Sequence, residues 1–100
     1  MPWVKAALET ELDEQLGVEI DGHRIALFRV DDEVLALDDV CSHEFSLLSE
    51  GEIWDDEVYC EKHGSRFDIR TGAVKSLPAF KPVATHAVKI EDGVIFVELD

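Results

Sequence analysis

The chain has 100 residues, with 23 acids against 9 bases and a net charge of −14. That length is the size of one domain, and an apolar content of 46% is too high for a disordered chain. The charge argues against nucleic acid and anionic membrane surfaces as partners, and no apolar run approaches the roughly 20 residues that a membrane span needs.

The first residues, Met1-Pro2-Trp3-Val4-Lys5-Ala6-Ala7-Leu8-Glu9, lack the pattern of a secretion signal, so a cytoplasmic location is expected. Thr10-Glu11-Leu12-Asp13 is spaced as a capping box for one helical turn, which Gly17 would soon stop. Strand chemistry then recurs at 17–20, 23–30, 33–38, 52–54, 57–60, 67–70, 83–90 and 93–99. The turn signals between and within these runs are Asp21-Gly22, Asp31-Asp32, Asp55-Asp56, Thr71-Gly72 and Asp92-Gly93. A short turn of helix is expected around 45–49. Many short strands between tight turns predict an all-β fold, an antiparallel sandwich or small barrel. The interval from about 41 to 82 holds both cysteines, two of the four histidines and every proline except Pro2. It reads as a smaller lobe inserted into a base made by the flanking strands, within a single domain spanning 1–100.

Two mixed pairs lie in that interval, Cys41-Ser42-His43 and Cys60-Glu61-Lys62-His63, with sixteen residues (44 to 59) between them. In a cytoplasmic protein, Cys beside His points to metal rather than to a disulfide. Each pair offers one thiolate and one imidazole from a short loop. Four such donors suit a single Zn²⁺ in a tetrahedron. They also suit a [2Fe–2S] cluster with two cysteines on one iron and two histidines on the other. Zinc fingers pair like with like, Cys-x(2–4)-Cys and His-x(3–5)-His. The mixed pairs here favour the cluster, because each loop can send one residue to each iron.

Cys-x-His, sixteen residues, then Cys-x-x-His resembles the signature of Rieske proteins. Gly64-Ser65-Arg66-Phe67-Asp68 after the second pair, Thr71-Gly72, the loop at Leu77-Pro78-Ala79, and the tail from Val88 to Val94 extend the resemblance over roughly 17–99. The resemblance implies the Rieske fold, with a cluster-binding lobe at about 41–82. It implies one Rieske-type [2Fe–2S] cluster on Cys41, His43, Cys60 and His63, with the histidines facing the tip and the cysteines the buried side. Among Rieske proteins the chain is similar to the ferredoxin components of bacterial ring-hydroxylating dioxygenase systems, which serve aromatic hydrocarbon catabolism. The implied role is a one-electron carrier, not an enzyme. Its implied partners are an NAD(P)H-dependent flavoprotein reductase and a terminal non-haem iron oxygenase, and a monomer is expected.

The respiratory type of Rieske protein has a disulfide between its ligand loops and a Tyr that donates to a ligand sulfur. Here the matching positions are Ser46, Lys62 and Phe67, so neither device is available. Ser65 remains as a candidate donor to a bridging sulfide. Fewer hydrogen bonds to sulfur stabilise the reduced cluster less, so the expected potential lies toward the lower part of roughly −150 to +300 mV. Two ferric ions, two sulfides and two thiolates sum to zero, so one electron changes the centre by a single charge.

Two other functions fit the same residues: the small Rieske-like subunit of an assimilatory nitrite reductase, and a structural zinc-binding interaction domain. Of the apolar residues near the pairs, Leu77 and Pro78 read as a shield over the cluster, and Trp54 and Leu48 as ordinary core. His23 and His86 read as plain strand residues. Asp38-Asp39 reads as a polar strand end, and Asp55-Asp56-Glu57 as a solvated turn.

Overall fold

A computed structural model describes residues 3–40, 47–60, 65–75 and 82–99. In chain order the strands are β1 (Trp3–Leu8), β2 (Gln15–Ile20), β3 (His23–Val30), β4 (Glu33–Asp38), β5 (Ile53–Trp54), β6 (Glu57–Tyr59), β7 (Arg66–Asp68), β8 (Thr85–His86), β9 (Val88–Glu91) and β10 (Val94–Glu98). They form three sheets of antiparallel neighbours, in the orders β1-β10-β9, β2-β3-β4-β8 and β5-β6-β7. Single 3-10 turns at Glu9–Glu11 and Leu48–Glu50 are the helical pieces among the described residues. The all-β expectation therefore holds. Among the described residues no helix is long and apolar enough to cross a membrane.

The strand β3 organises the layers. Side chains alternate across a strand, yet Ile25, Ala26, Leu27 and Phe28 are all buried. Ile25 and Leu27 join Ala36, Ile95 and Val97 in a core between the two larger sheets. Ala26, Phe28 and Val30 join Leu37, Leu48, Val58, Cys60 and Phe67 in a second core beneath the β5-β6-β7 sheet. One strand thus forms a wall of both the base and the lobe, which is why its sequence is a continuous apolar run rather than an alternating one.

The ends of β3 and β4 fall where the turn signals place them. Asp21 (φ 50°) with Gly22 (φ 83°), and Asp31 (φ 51°) with Asp32 (φ 66°), adopt the left-handed conformation that two-residue hairpin turns need. Elsewhere the strands differ from expectation. β1 was not expected, because Trp3-Val4-Lys5-Ala6-Ala7-Leu8 has no clean alternation. It forms by pairing with β10 at the other end of the chain, through a shift in register between Lys5 and Ala7. β2 begins at Gln15, two residues early, since Gln15 and Leu16 pair with Phe28 and Leu27. The expected strand 83–90 is two strands: β8 pairs with β4 and β9 with β10, so the chain changes sheets at Ala87. The expected capping box is a 3-10 turn at Glu9–Glu11, where the Glu11 carboxylate accepts from the Leu8 N–H at 2.8 Å. The helical turn expected at 45–49 is seen at Leu48–Glu50; residues 45 and 46 lie outside the described residues.

Arg70 fastens the lobe to the base. Its guanidinium reaches Glu33 at 3.0 Å, Asp56 at 3.3 Å and Asp31 at 3.3 Å. The side-chain hydrogen bond to Glu33, then that to Asp56, raises its pKa above the ordinary arginine value.

Because Phe28 is fully buried in the lobe core, Phe28→Ala is expected to lower folding stability by about 3–5 kcal/mol. Denaturant unfolding of the two proteins measures this directly.

Candidate metal centre

The described backbone is paired on either side of both segments that carry the Cys/His pairs, and each pairing makes a base. At the first, β4 ends at Asp38, and Val40 makes an antiparallel bridge to Leu47. The Leu48 N–H also donates to the Asp39 carbonyl at 2.6 Å. Residues 41–46 are thus spanned by paired backbone. At the second, the β6–β7 ladder continues one step past Tyr59–Arg66, with the Cys60 N–H donating to the Ser65 carbonyl at 2.6 Å. The Pro78 segment has a third base. There the Lys75 N–H donates to the Arg66 carbonyl at 2.7 Å, and the Val83 N–H to the Gly72 carbonyl at 2.9 Å.

The first two bases touch. Gly51 follows the turn Leu48–Glu50, and its N–H donates to the Leu48 carbonyl at 2.9 Å. A Cβ built at Gly51 would lie 2.0 Å from the Tyr59 carbonyl oxygen, next to Cys60. The approach of these two backbones therefore requires glycine. Gln15 of β2 secures the same segment, its side-chain amide donating to the Gly51 carbonyl at 2.9 Å and to the Ser49 carbonyl.

Of the four expected ligands, the structure describes Cys60. Its side chain is buried in the lobe core beside Leu48, Val58 and Phe67, and it forms no disulfide. A buried thiol at a strand end fits the inward-facing ligand expected there. Cys41, His43 and His63 lie outside the described residues, as do Ser46, Lys62, Leu77 and Pro78. Ser65 is fully buried, and so is Phe67, which carries no hydroxyl toward the core. Among the described residues no group of three or more His, Cys, Asp or Glu is arranged to hold a metal.

Two expectations about neighbouring residues need separating. Leu48 is core, as expected, with no exposed surface. Trp54 is not core: it is 58% exposed, because it pairs with Glu57 across the β5–β6 hairpin and so faces away from the Ile53–Val58 side. His23 and His86 lie in strands, as expected. His86 additionally bonds Asp38 through Nε2 at 2.7 Å, tying β8 to the end of β4.

Sequence reasoning missed Asp39. It is no polar strand end but a carboxylate without solvent access. Strand parity carried a signal: Asp39 stands two residues after Leu37, whose side chain enters the lobe core. Its partners, Arg24 and Ser49, come from distant parts of the sequence and left no comparable trace.

The sequence pattern of the Rieske [2Fe-2S] domain matches residues 2–87. The chain is 33% identical over 100 residues to the ferredoxin component of the naphthalene 1,2-dioxygenase/salicylate 5-hydroxylase systems of a Ralstonia species, covering 98% of this chain and 96% of that one. Among solved structures, the ferredoxin of carbazole 1,9a-dioxygenase from Nocardioides aromaticivorans IC177 superposes with a TM-score of 0.89 at 31% identity, over 97% of each chain. A further match is to a chain in a complex of reduced oxygenase and oxidised ferredoxin of carbazole 1,9a-dioxygenase. It has a TM-score of 0.88 at 28% identity, over 98% of this chain and 97% of that one.

Gly51→Ala is expected to force the Tyr59–Cys60 backbone away from the first base, costing about 1–3 kcal/mol and lowering the iron retained per chain. Iron and protein assays on the purified variant beside the parent measure the second effect.

Proposed function

Because the chain belongs to the Rieske [2Fe-2S] domain family, we propose that it is the one-electron carrier of a ring-hydroxylating dioxygenase system, with its cluster on Cys41, His43, Cys60 and His63. Family membership brings one [2Fe–2S] cluster of the Rieske type. The observation that carries the proposal is the match to dioxygenase ferredoxin components over nearly the whole length of both chains.

When bound, the cluster supplies a one-electron couple with a single-charge change. Cys60 is buried, which supports an inner side held by Cys41 and Cys60 and an outer side formed by His43 and His63. The backbone is paired at Val40 with Leu47 and at Cys60 with Ser65, on either side of the two donor segments, which supports a small rearrangement on a change of charge. The lobe core, with Leu48, Val58 and Phe67 around Cys60, keeps water from the thiolate side. Phe67 offers no hydroxyl to sulfur, which supports a potential toward the lower part of roughly −150 to +300 mV.

In this proposal electrons arrive from an NAD(P)H-dependent flavoprotein reductase and leave to a terminal oxygenase. The complex of oxygenase and ferredoxin formed by a relative supports the second step. The chain acts as one Rieske domain, 1–100, with its cluster lobe at about 41–82, as a monomer in the cytoplasm. A net charge of −14 favours partners that present basic faces. One open cleft at the lobe has more acid than base, with Glu14, Asp31, Asp55, Asp56, Glu57 and Asp68 against Arg29, Arg66 and Lys75.

Supplying this chain to a ring-hydroxylating dioxygenase whose own ferredoxin is omitted tests the function. NAD(P)H-driven product formation is expected. A chain that is reduced by dithionite yet restores turnover to no such system would overturn the proposal. The stopped-flow rate of electron transfer to the oxygenase is expected to fall about tenfold or more between low and high ionic strength.

A further inference from the structure

Asp39 stands two residues before Cys41 and has no access to solvent. A buried carboxylate is costly unless it is paired and hydrogen-bonded. Oδ1 accepts from the Ser49 N–H at 2.7 Å. Oδ2 accepts from Ser49 Oγ and from Arg24 Nη2, each at 2.9 Å. The main chain of Asp39 is tied to the same two places: its N–H donates to the Arg24 carbonyl at 2.9 Å, and its carbonyl accepts from Leu48 N–H. Gly17 of β2 leaves room for the group. A Cβ there would lie 2.5 Å from Ser49 Oγ, 2.7 Å from Arg24 Nη2 and 2.8 Å from Asp39 Oδ2. Three separate parts of the sequence thus converge on one carboxylate.

Closing the loop does not require a charge, because the Val40–Leu47 bridge and the Leu48–Asp39 bond already do so. The charge has a different consequence. Two residues of chain span at most about 7 Å between Cα atoms, so Asp39 is within that reach of Cys41 along the backbone. A negative charge there opposes the arrival of an electron, and the Arg24 guanidinium offsets it.

We propose that Asp39 and Arg24 are a positioning and tuning pair for the first ligand loop. Asp39 fixes the far end of the loop through Leu48 and Ser49, and Arg24 balances its charge at the cluster. The inference rests on Cys41 and His43 being ligands, as proposed above. It predicts shifts of opposite sign. Asp39→Asn removes the negative charge and leaves Arg24 unbalanced, which stabilises the reduced state and raises the potential. Arg24→Gln leaves the carboxylate unbalanced and lowers the potential. Arg24→Lys keeps the charge and brings the potential back toward that of the parent. Ser49→Ala removes one hydrogen bond to the carboxylate but no charge, so it lowers thermal stability. A pair that served packing alone would weaken stability in these variants without moving the potential in opposite directions.

The experiment is a potentiometric titration of the cluster-loaded protein at one fixed pH, followed by EPR. The expected result is a higher potential for Asp39→Asn, a lower one for Arg24→Gln and recovery in Arg24→Lys. Unshifted potentials, or shifts of the same sign in the first two variants, would overturn the inference. If Asp39→Asn holds no cluster, Arg24→Gln against Arg24→Lys still decides, and equal potentials there overturn it. A parent chain without a cluster overturns the ligand assignment, and the pair's role with it. A loaded parent with unshifted variants overturns the pair alone.

Discussion

Burial of β3 on both faces is the constraint from which the rest of the molecule follows. A strand with one wet face could belong to the base or to the lobe. A strand that places Ile25 and Leu27 in one core and Ala26 and Phe28 in the other must carry both. The lobe is therefore no appendage on a loop; its core begins on the same backbone that closes the base. Cys60 sits in the lobe core, in one cluster with Ala26 and Phe28 of that strand.

Above this wall, the lobe is organised by backbone rather than by side-chain bulk. Within the lobe the segments 41–46, 61–64 and 76–81 lie outside the described residues, and hydrogen-bonded main chain flanks each of them. Glycine is used at the points where these bases crowd one another. Gly51 lets the first base touch the carbonyl before Cys60, and Gly72, at φ 75°, lets the turn after β7 approach Val83. Electrostatics follow the same plan. Arg70 gathers acids from two turns at the edge of the lobe, and Arg24 meets a single acid beneath the first loop.

Much of this was legible in the sequence because the relevant signals are local. Two-residue Asp and Gly turns set both ends of β3 and the start of β4 to the residue, and the mixed Cys/His spacing picks out 41–43 and 60–63 in the sequence itself. Signals that depend on distant partners were not legible. β1 exists because β10 accepts it, and Trp3-Val4-Lys5-Ala6-Ala7-Leu8 alone does not specify a strand. The split of 83–90 into β8 and β9 depends on two sheets meeting at Ala87, where the local pattern is continuous. Trp54 was assigned to the core on hydrophobicity, yet hairpin parity turns it outward. Asp39 reads by polarity as a strand end, yet it stands in the inward register of Leu37 and is buried against Arg24. Both misassignments weigh residue type above position, and position is set by pairing.

The central claim is that two histidines and two cysteines of this chain hold one [2Fe–2S] cluster. Pulsed EPR of the dithionite-reduced protein, prepared with natural and with ¹⁵N-labelled histidine, tests it most directly. Histidine ligation predicts hyperfine coupling to two nitrogens that changes with the isotope. A reduced cluster without such nitrogen coupling, or a colourless protein holding zinc, would contradict it.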